Sequence, residues 1–319
     1  MQTALVTGVT GQDGGFLADR MLDAGYTVHG LVRPGDVELV DARVVQHTGD
    51  LTDGSRLGEL VAGLRPDVLV NLGGLSSVAA SWRQPVLTAQ VTGLAVLELL
   101  EAAWRLHDHG HPVRFLQASS AEIFGEAEEV PQSELTPIRP VSPYGAAKAL
   151  AHHATRMYRA RGLPASTVIL YGHESPRRRP SFVARKITTG VAAIVRGDAS
   201  ELVFGNLDAT RDWGWAPDFV DAMVRVLEGS WPDDYVVSTG EAHSVREFAD
   251  AAFAAAGLGP GARYLRSDPE LSRVGDGAVQ VGDATRIRER LGWAPTKSFG
   301  GVVAAMVTAD LKQRAPVHR

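Results

Sequence analysis

The stretch Thr3-Ala4-Leu5-Val6-Thr7-Gly8-Val9-Thr10-Gly11-Gln12-Asp13-Gly14-Gly15-Phe16 decides the fold. A short apolar run gives way to glycines at 8, 11 and 14, and these open an amphipathic stretch. Glycine permits a sharp turn from strand to helix and lets the backbone approach a pyrophosphate, whose charge is favoured at a helix N-terminus. In this strand-turn-helix context the spacing reads as a dinucleotide site. The competing reading is a Gly-rich turn with a structural role alone.

Working outward, apolar runs at 3–6, 27–32, 44–47, 68–72, 113–117 and 166–170 read as strands buried on both faces. Helices are predicted between them over 14–24, 55–64, 86–106 and 144–161. That alternation defines an α/β fold, a Rossmann-like doubly wound parallel sheet. Beyond residue 171 glycine and proline become denser and the predicted elements (202–204, 235–238, 245–256, 286–291, 301–311) are shorter. The expected division is a dinucleotide-binding domain over 1–171 and a smaller, irregular substrate lobe over 172–319, interleaved with the first.

The 319 residues carry a net charge of -5, 45% hydrophobic and 22% charged residues, and no cysteine. A net anion disfavours nucleic-acid and membrane-surface partners. The absence of cysteine excludes disulfides and thiolate metal sites. No apolar run is read as reaching the ~18 residues of a membrane span, and the opening Met-Gln-Thr-Ala lacks the features of a signal peptide. The expectation is a cytoplasmic protein.

Tyr144 and Lys148 in Ser142-Pro143-Tyr144-Gly145-Ala146-Ala147-Lys148 are spaced i and i+4, on one face of a predicted helix. An ammonium about 4 Å from a phenol, at an effective dielectric near 20, is worth roughly 4 kcal/mol. The spacing therefore predicts a phenol lowered by about two units, able to take a proton from a sugar hydroxyl. Ser120 and Glu122 lie just past the fifth strand, where a hydroxyl can bind a substrate oxygen and a carboxylate can remove a proton next to a ketone. Ser119 is read either as a turn residue or as a substrate contact. Arg33 ends the second strand, where a guanidinium suits a 2′-phosphate; Asp36 lies close by. Asp50 reads either as an adenine neighbour or as part of a helix N-cap region.

These phrases, with Gly49-Asp50-Leu51-Thr52-Asp53, Asn71-Leu72-Gly73-Gly74, His173-Glu174-Ser175-Pro176-Arg177-Arg178, Arg211-Asp212-Trp213-Gly214 and Leu291-Gly292-Trp293, resemble the extended short-chain dehydrogenase/reductases. Within that group they are similar to the GDP-mannose 4,6-dehydratase family. The resemblance implies redox-neutral 4,6-dehydration of a nucleotide-activated hexose, with Ser120, Glu122, Tyr144 and Lys148 catalytic. NADP is the implied cofactor, with NAD as the alternative. It implies cofactor contacts from Gly8, Thr10, Gly11, Gln12, Asp13, Gly14, Arg33, Asp50, Leu51, Leu72, Gly73, Gly74, Ser76, Tyr144, Lys148, His173 and Arg178. It implies substrate contacts from Ser76, Glu122, Gly172, Lys186, Arg211, Arg273 and Asp276, around a GDP-linked sugar. Ala121 stands where related glucose-nucleotide dehydratases have Asp, so one carboxylate would act as both acid and base.

Three departures stand out. Pro34 follows Arg33 where the family carries a second arginine and a longer, tetramer-building loop. Gly172 replaces an asparagine, and Arg273-Val274-Gly275-Asp276 is a reduced form of the usual pattern. A homodimer through a four-helix bundle is expected rather than a tetramer. The alternative function is reduction or epimerisation of a keto-sugar nucleotide, or dehydration of a GDP-heptose. His107, His109 and His111 read as a solvated helix end, with no metal site.

Overall fold

The computed structural model describes residues 2–36, 40–259, 261–271 and 279–312. Its strands are β1 (Thr3–Thr7), β2 (Thr27–Val32), β3 (Val45–Thr48), β4 (Val68–Asn71), β5 (Arg114–Ser120), β6 (Ala165–Leu170), β7 (Gly172–Glu174), β8 (Leu202–Phe204), β9 (Thr210–Trp215), β10 (Asp234–Val237), β11 (Ala242–Ser244) and β12 (Leu265–Ser267). Seven of them form one sheet in the order β10-β6-β5-β4-β1-β2-β3. Every pairing in it is parallel. This is the doubly wound sheet that the sequence predicts, with its order reversing at β1 and β4 so that a crevice opens at their carboxyl ends.

Two apolar layers sandwich the sheet. On one face α1 (Gln12–Asp23) and the helix Ala216–Glu228 bury Leu17, Met21, Phe219 and Met223 against Val6, Val28 and Val70. On the other, α2 (Gly54–Leu64) and the helix Pro143–Ala160 pack with Leu99, Leu100 and Phe115. The chain beyond residue 171 thus contributes a covering helix and the edge strand β10 to the sheet. A third core, with Ile187, Trp213, Phe248, Phe253 and Met306, lies among β8, β9 and the helices Val183–Arg196, Val245–Ala255 and Phe299–Lys312.

The helix Pro85–Asp108 corrects one expectation. It spans 24 residues and contains an 18-residue stretch with a mean hydropathy of 1.5, long and apolar enough, by length and composition, to cross a membrane. The run was hidden because Gln90, Thr92 and Gly93 interrupt it, whereas the backbone continues through them as a π-helical stretch, Ala89–Leu94. Its inner side chains Val96, Leu99, Leu100 and Ala103 belong to the protein core. Gly93 lets it approach the helix Pro143–Ala160, where an added Cβ would stand 3.1 Å from Leu150 Cδ2.

Candidate active site

The first turn is built for close approach. Gly8 has φ +69°, and a Cβ there would meet the Gly73 nitrogen at 2.8 Å. A Cβ on Gly14 would lie 2.2 Å from the Gly8 carbonyl oxygen. Side chains are excluded on both sides of the turn. Gly11 caps α1 without any side-chain hydrogen bond, so the first N–H groups of the helix point outward unsatisfied by a cap. A pyrophosphate fits that requirement. Leu51, Leu72, Gly73 and Thr7 meet beside it: a Cβ on Gly73 would lie 2.6 Å from Leu51 Cδ1, and the Gly73 N–H donates to Thr7 Oγ1 at 3.0 Å. Gly74 and Ser76 are exposed on the same loop, and Thr10 is half-buried on the turn.

Gln12, Asp13 and His173 do something the sequence did not reveal. They staple the turn to the segment after β6. Gln12 Nε2 donates to the His173 carbonyl at 3.1 Å and its Oε1 accepts from Ser175 Oγ at 2.8 Å. His173 Nε2 meets Asp13 Oδ2 at 2.9 Å, and Nδ1 meets the Tyr171 carbonyl at 2.7 Å. Both ring nitrogens face acceptors, so both carry protons. Burial works against each charge, but the partners overcome it: Asp13 is held below its usual range and His173 above its own. The ring also stacks on Phe219, with centroids 4.6 Å apart. Arg178 lies over Phe182 and faces the buried carboxylate of Glu174 at 3.3 Å, while Arg177 pairs with Asp19 and covers Phe16.

Arg33 is engaged within the chain. Its Nε and Nη2 donate to Asp36 Oδ2 at 3.1 and 2.8 Å, and the pair is largely solvent-facing. Asp50 does not cap α2; that role belongs to Asp53, which accepts from the Arg56 N–H. Asp50 closes a tight turn by accepting from the Thr52 N–H and hydroxyl, each at 2.8 Å.

The helix Pro143–Ala160 positions the chemical groups. Ser142 caps it by accepting from the Gly145 N–H at 3.0 Å, Pro143 occupies its first turn, and the Tyr144 N–H donates to Ser81 Oγ at 3.2 Å. Gly145 lets the helix rest on Glu122, where a Cβ would lie 2.5 Å from the Glu122 carbonyl oxygen. Tyr144 is buried, and Ser120 and Glu122 act on its phenol in opposite directions. Ser120 also accepts from the Glu122 N–H, so it heads the turn that carries that carboxylate. Ser119 is buried with its hydroxyl unpartnered, so it supplies no cap.

Here the electrostatics differ from expectation. Burial drives the Tyr144 phenol up to about 12, opposed by Ser120, and raised further by Glu122. Lys148 is driven down to about 8 by its own burial. Its ammonium donates to the Ala118 carbonyl at 2.7 Å. The i, i+4 spacing brought the residues together, but the sequence could not show how much solvation each side chain loses. That carbonyl also accepts from Gln117, which accepts in turn from Asn71, and Asn71 accepts from Thr7. A buried polar chain therefore links the glycine turn to Lys148. Its sequence signal was faint: single polar residues at the ends of otherwise apolar strands.

Among the residues expected to meet substrate, Gly172 serves β7–β9 pairing, since a Cβ there would lie 2.5 Å from the Asp212 carbonyl. Lys186 Nζ donates to the Val203 carbonyl at 2.7 Å and lies over Phe204. Arg211 on β9 bridges to Gln280, which donates to Glu122 Oε1 at 3.2 Å. Gln280 was missed by the sequence reading. Arg273 and Asp276 lie outside the described residues.

Fold and site together define a short-chain dehydrogenase/reductase with a Tyr-x-x-x-Lys pair at the crevice of a Rossmann sheet. A family model for GDP-mannose 4,6 dehydratase matches residues 5–306. The chain is 42% identical to GDP-mannose 4,6 dehydratase 1 of Arabidopsis thaliana, over 97% of this chain and 90% of that protein. It is 38% identical to the Homo sapiens GDP-mannose 4,6 dehydratase, over 97% and 91%. The chain belongs to the GDP-mannose 4,6-dehydratase family. Among solved structures it is similar to a Thermotoga maritima UDP-glucose 4-epimerase with UDP-glucose, at TM-score 0.85 and 25% identity over 96% of this chain and 98% of the other.

Proposed function

We propose that the chain carries out redox-neutral 4,6-dehydration of GDP-mannose to GDP-4-keto-6-deoxymannose. The supporting observation is that the turn carrying Ser120 and Glu122 rests against Gly145, next to the buried Tyr144. This gives one cleft a proton acceptor for a hydroxyl and a carboxylate for the neighbouring C–H. Oxidation or reduction alone needs only the first.

A bound NADP would supply reversible hydride transfer, from C4 of the sugar and later back to C6. Burial holds the Tyr144 phenol protonated, so it would take the C4 hydroxyl proton only once the positive charge of a bound oxidised nicotinamide offsets that burial; Ser120 holds the same oxygen, and Lys148 orders the polar chain behind them. The C4 ketone acidifies C5, and Glu122 takes that proton. The electron pair forms the C5–C6 double bond as the C6 hydroxyl leaves, protonated by Glu122, as water. A proton then returns to C5 from the Tyr144 side, and because the hydride a bound NADP would take from C4 is the one it would give to C6, no reductant is consumed. Lys186, Arg211 and Arg273 are assigned to the pyrophosphate, with Ser76, Gly172 and Asp276 beside the substrate.

In this reading Arg33 favours NADP over NAD, and the glycine turn with Asp50, Leu51, Leu72, Gly73, Gly74 and Ser76 receives the dinucleotide. His173 and Arg178 support the cofactor side. Residues 1–171 form the cofactor domain and 172–319 mainly the substrate lobe. Trp82, Val86, Leu87, Leu94, Leu150 and Met157 are exposed on the helices Val78–Arg83, Pro85–Asp108 and Pro143–Ala160, and they support a homodimer through a four-helix bundle. The compartment expected in this reading is the cytoplasm.

Incubation of GDP-mannose with the protein and substoichiometric NADP should give a product lighter by one water. Glu122→Gln should abolish that loss while cofactor binding persists. Stoichiometric consumption of reduced cofactor, or full turnover by Glu122→Gln, would overturn the proposal.

A further inference from the structure

We propose that Gln280 is a positioning residue for Glu122, holding the carboxylate in the orientation that removes the C5 proton; this rests on the dehydration reading above. Gln280 touches the Glu122 carboxylate, with Nε2 donating to Oε1 at 3.2 Å. Its own backbone is fixed on both sides. The Asp212 N–H donates to the Gln280 carbonyl at 3.0 Å, in the bridge to Arg211.

Buried Gln132 straps the same segment from the other side. Its N–H donates to the Val281 carbonyl at 2.8 Å and its Nε2 to the Val279 carbonyl at 3.2 Å. Its Oε1 accepts from the Val281 N–H at 3.2 Å and from the Tyr171 hydroxyl at 2.9 Å. The amide of Gln280 is therefore delivered to Glu122 by a segment braced through bridges on both sides rather than by a free loop.

The chemistry asks for such a partner. Ala121 leaves Glu122 without an adjacent second carboxylate, so Glu122 must be unprotonated before C5–H cleavage and protonated before water leaves. A primary amide can meet both forms: its NH2 donates to a carboxylate, and after rotation its carbonyl accepts from a carboxylic acid. An apolar side chain meets neither, and an acid meets only one. Because the same segment bridges to Arg211, docking at that arginine and the orientation of the base share one piece of backbone.

The test compares wild type, Gln280→Met, Gln280→Glu and Glu122→Gln on GDP-mannose carrying hydrogen or deuterium at C5. With Gln280→Met, kcat should fall about ten- to a hundredfold, the usual weight of a hydrogen bond to a charged group, with KM changed less than about twofold. The C5 isotope effect on kcat should grow, and reduced-nicotinamide absorbance should build up during turnover because C4 oxidation outpaces elimination. Gln280→Glu, which keeps the shape, should lose at least as much, since two carboxylates at this separation compete for one proton. Thermal unfolding of each variant should stay within a few degrees of wild type. Wild-type kcat and an unchanged isotope effect in either folded Gln280 variant would overturn the positioning role and leave the dehydration reading intact. A wild-type enzyme that releases no water, or an active Glu122→Gln, would overturn both.

Discussion

Lys148 stands one helical turn from Tyr144, with its ammonium 5.9 Å from the centre of the phenol ring and its hydrogen bond going to the Ala118 carbonyl. Two groups of opposite chemistry are thus buried together, each pushed toward its uncharged form.

That arrangement destabilises the fold. Burial lowers Lys148 to about 8. Between that value and its unfolded value near 10.4 the unfolded chain binds more protons, so stability rises with pH across this window. Below it the full penalty of the buried ammonium is present. Lys148→Met should therefore raise stability at pH 7 by about 3 kcal/mol, with the gain shrinking through pH 8 to 10. Denaturant unfolding at pH 7 and 9.5 reads this directly; an equal or lower stability at pH 7 would contradict it. Turnover should drop at least about a hundredfold in the same variant.

The Asp13–His173 pair has the opposite sign. His173 is raised, so its contribution is complete below its unfolded value near 6.5 and is lost as pH rises through the folded value. Asp13 is lowered, so its contribution is complete above about 4 and is lost on further acidification. His173→Gln should cost about 3 kcal/mol, most strongly between pH 4.5 and 6.5, by leaving a buried carboxylate uncompensated. Melting temperatures of wild type and variant should differ across that range and converge only as pH rises past the raised folded value of His173. A constant gap at all pH values would refute the charged pair.

Cofactor choice should respond to Asp36. Its carboxylate occupies the Arg33 guanidinium in a solvent-facing pair, an interaction worth at most about 1 kcal/mol. Asp36→Ala should improve NADP binding relative to NAD by about fivefold. Calorimetric titration with both dinucleotides gives the ratio, and no change would mean that Arg33 does not face the 2′-phosphate.

Association should depend on the helical face carrying Leu94 and Met157, which are 51% and 56% exposed. Leu94→Arg with Met157→Glu should convert a dimer to a monomer by light scattering. Trp231→Ser, at a 66% exposed position off those helices, should leave the mass unchanged.

Much of this architecture was legible in the sequence because local patterns carried it. The run before Gly8 and the apolar strands after it gave the parallel sheet, and Ser142-Pro143 marked the start of the tyrosine helix. What escaped was long-range. The helix Ala216–Glu228 and strand β10 rejoin the sheet from a region that reads as irregular, and no local signal tells where a segment returns. Gln12 and Asp13 look like ligand contacts in a glycine turn, yet their partners lie some 160 residues away. Gln280 reads as an ordinary polar residue between valines until the fold brings it to Glu122. The direction of the Tyr144 shift depended on burial, which spacing does not encode.

Gly145 sets the distance between the tyrosine and the glutamate through backbone contact alone, with no room for even a methyl group. Redesign of this cleft for bulkier or differently branched sugars therefore has an immovable hinge point. Its walls can be recut on the side of the braced segment or the arginine, but the spacing of Tyr144 and Glu122 stays fixed as long as Gly145 is kept.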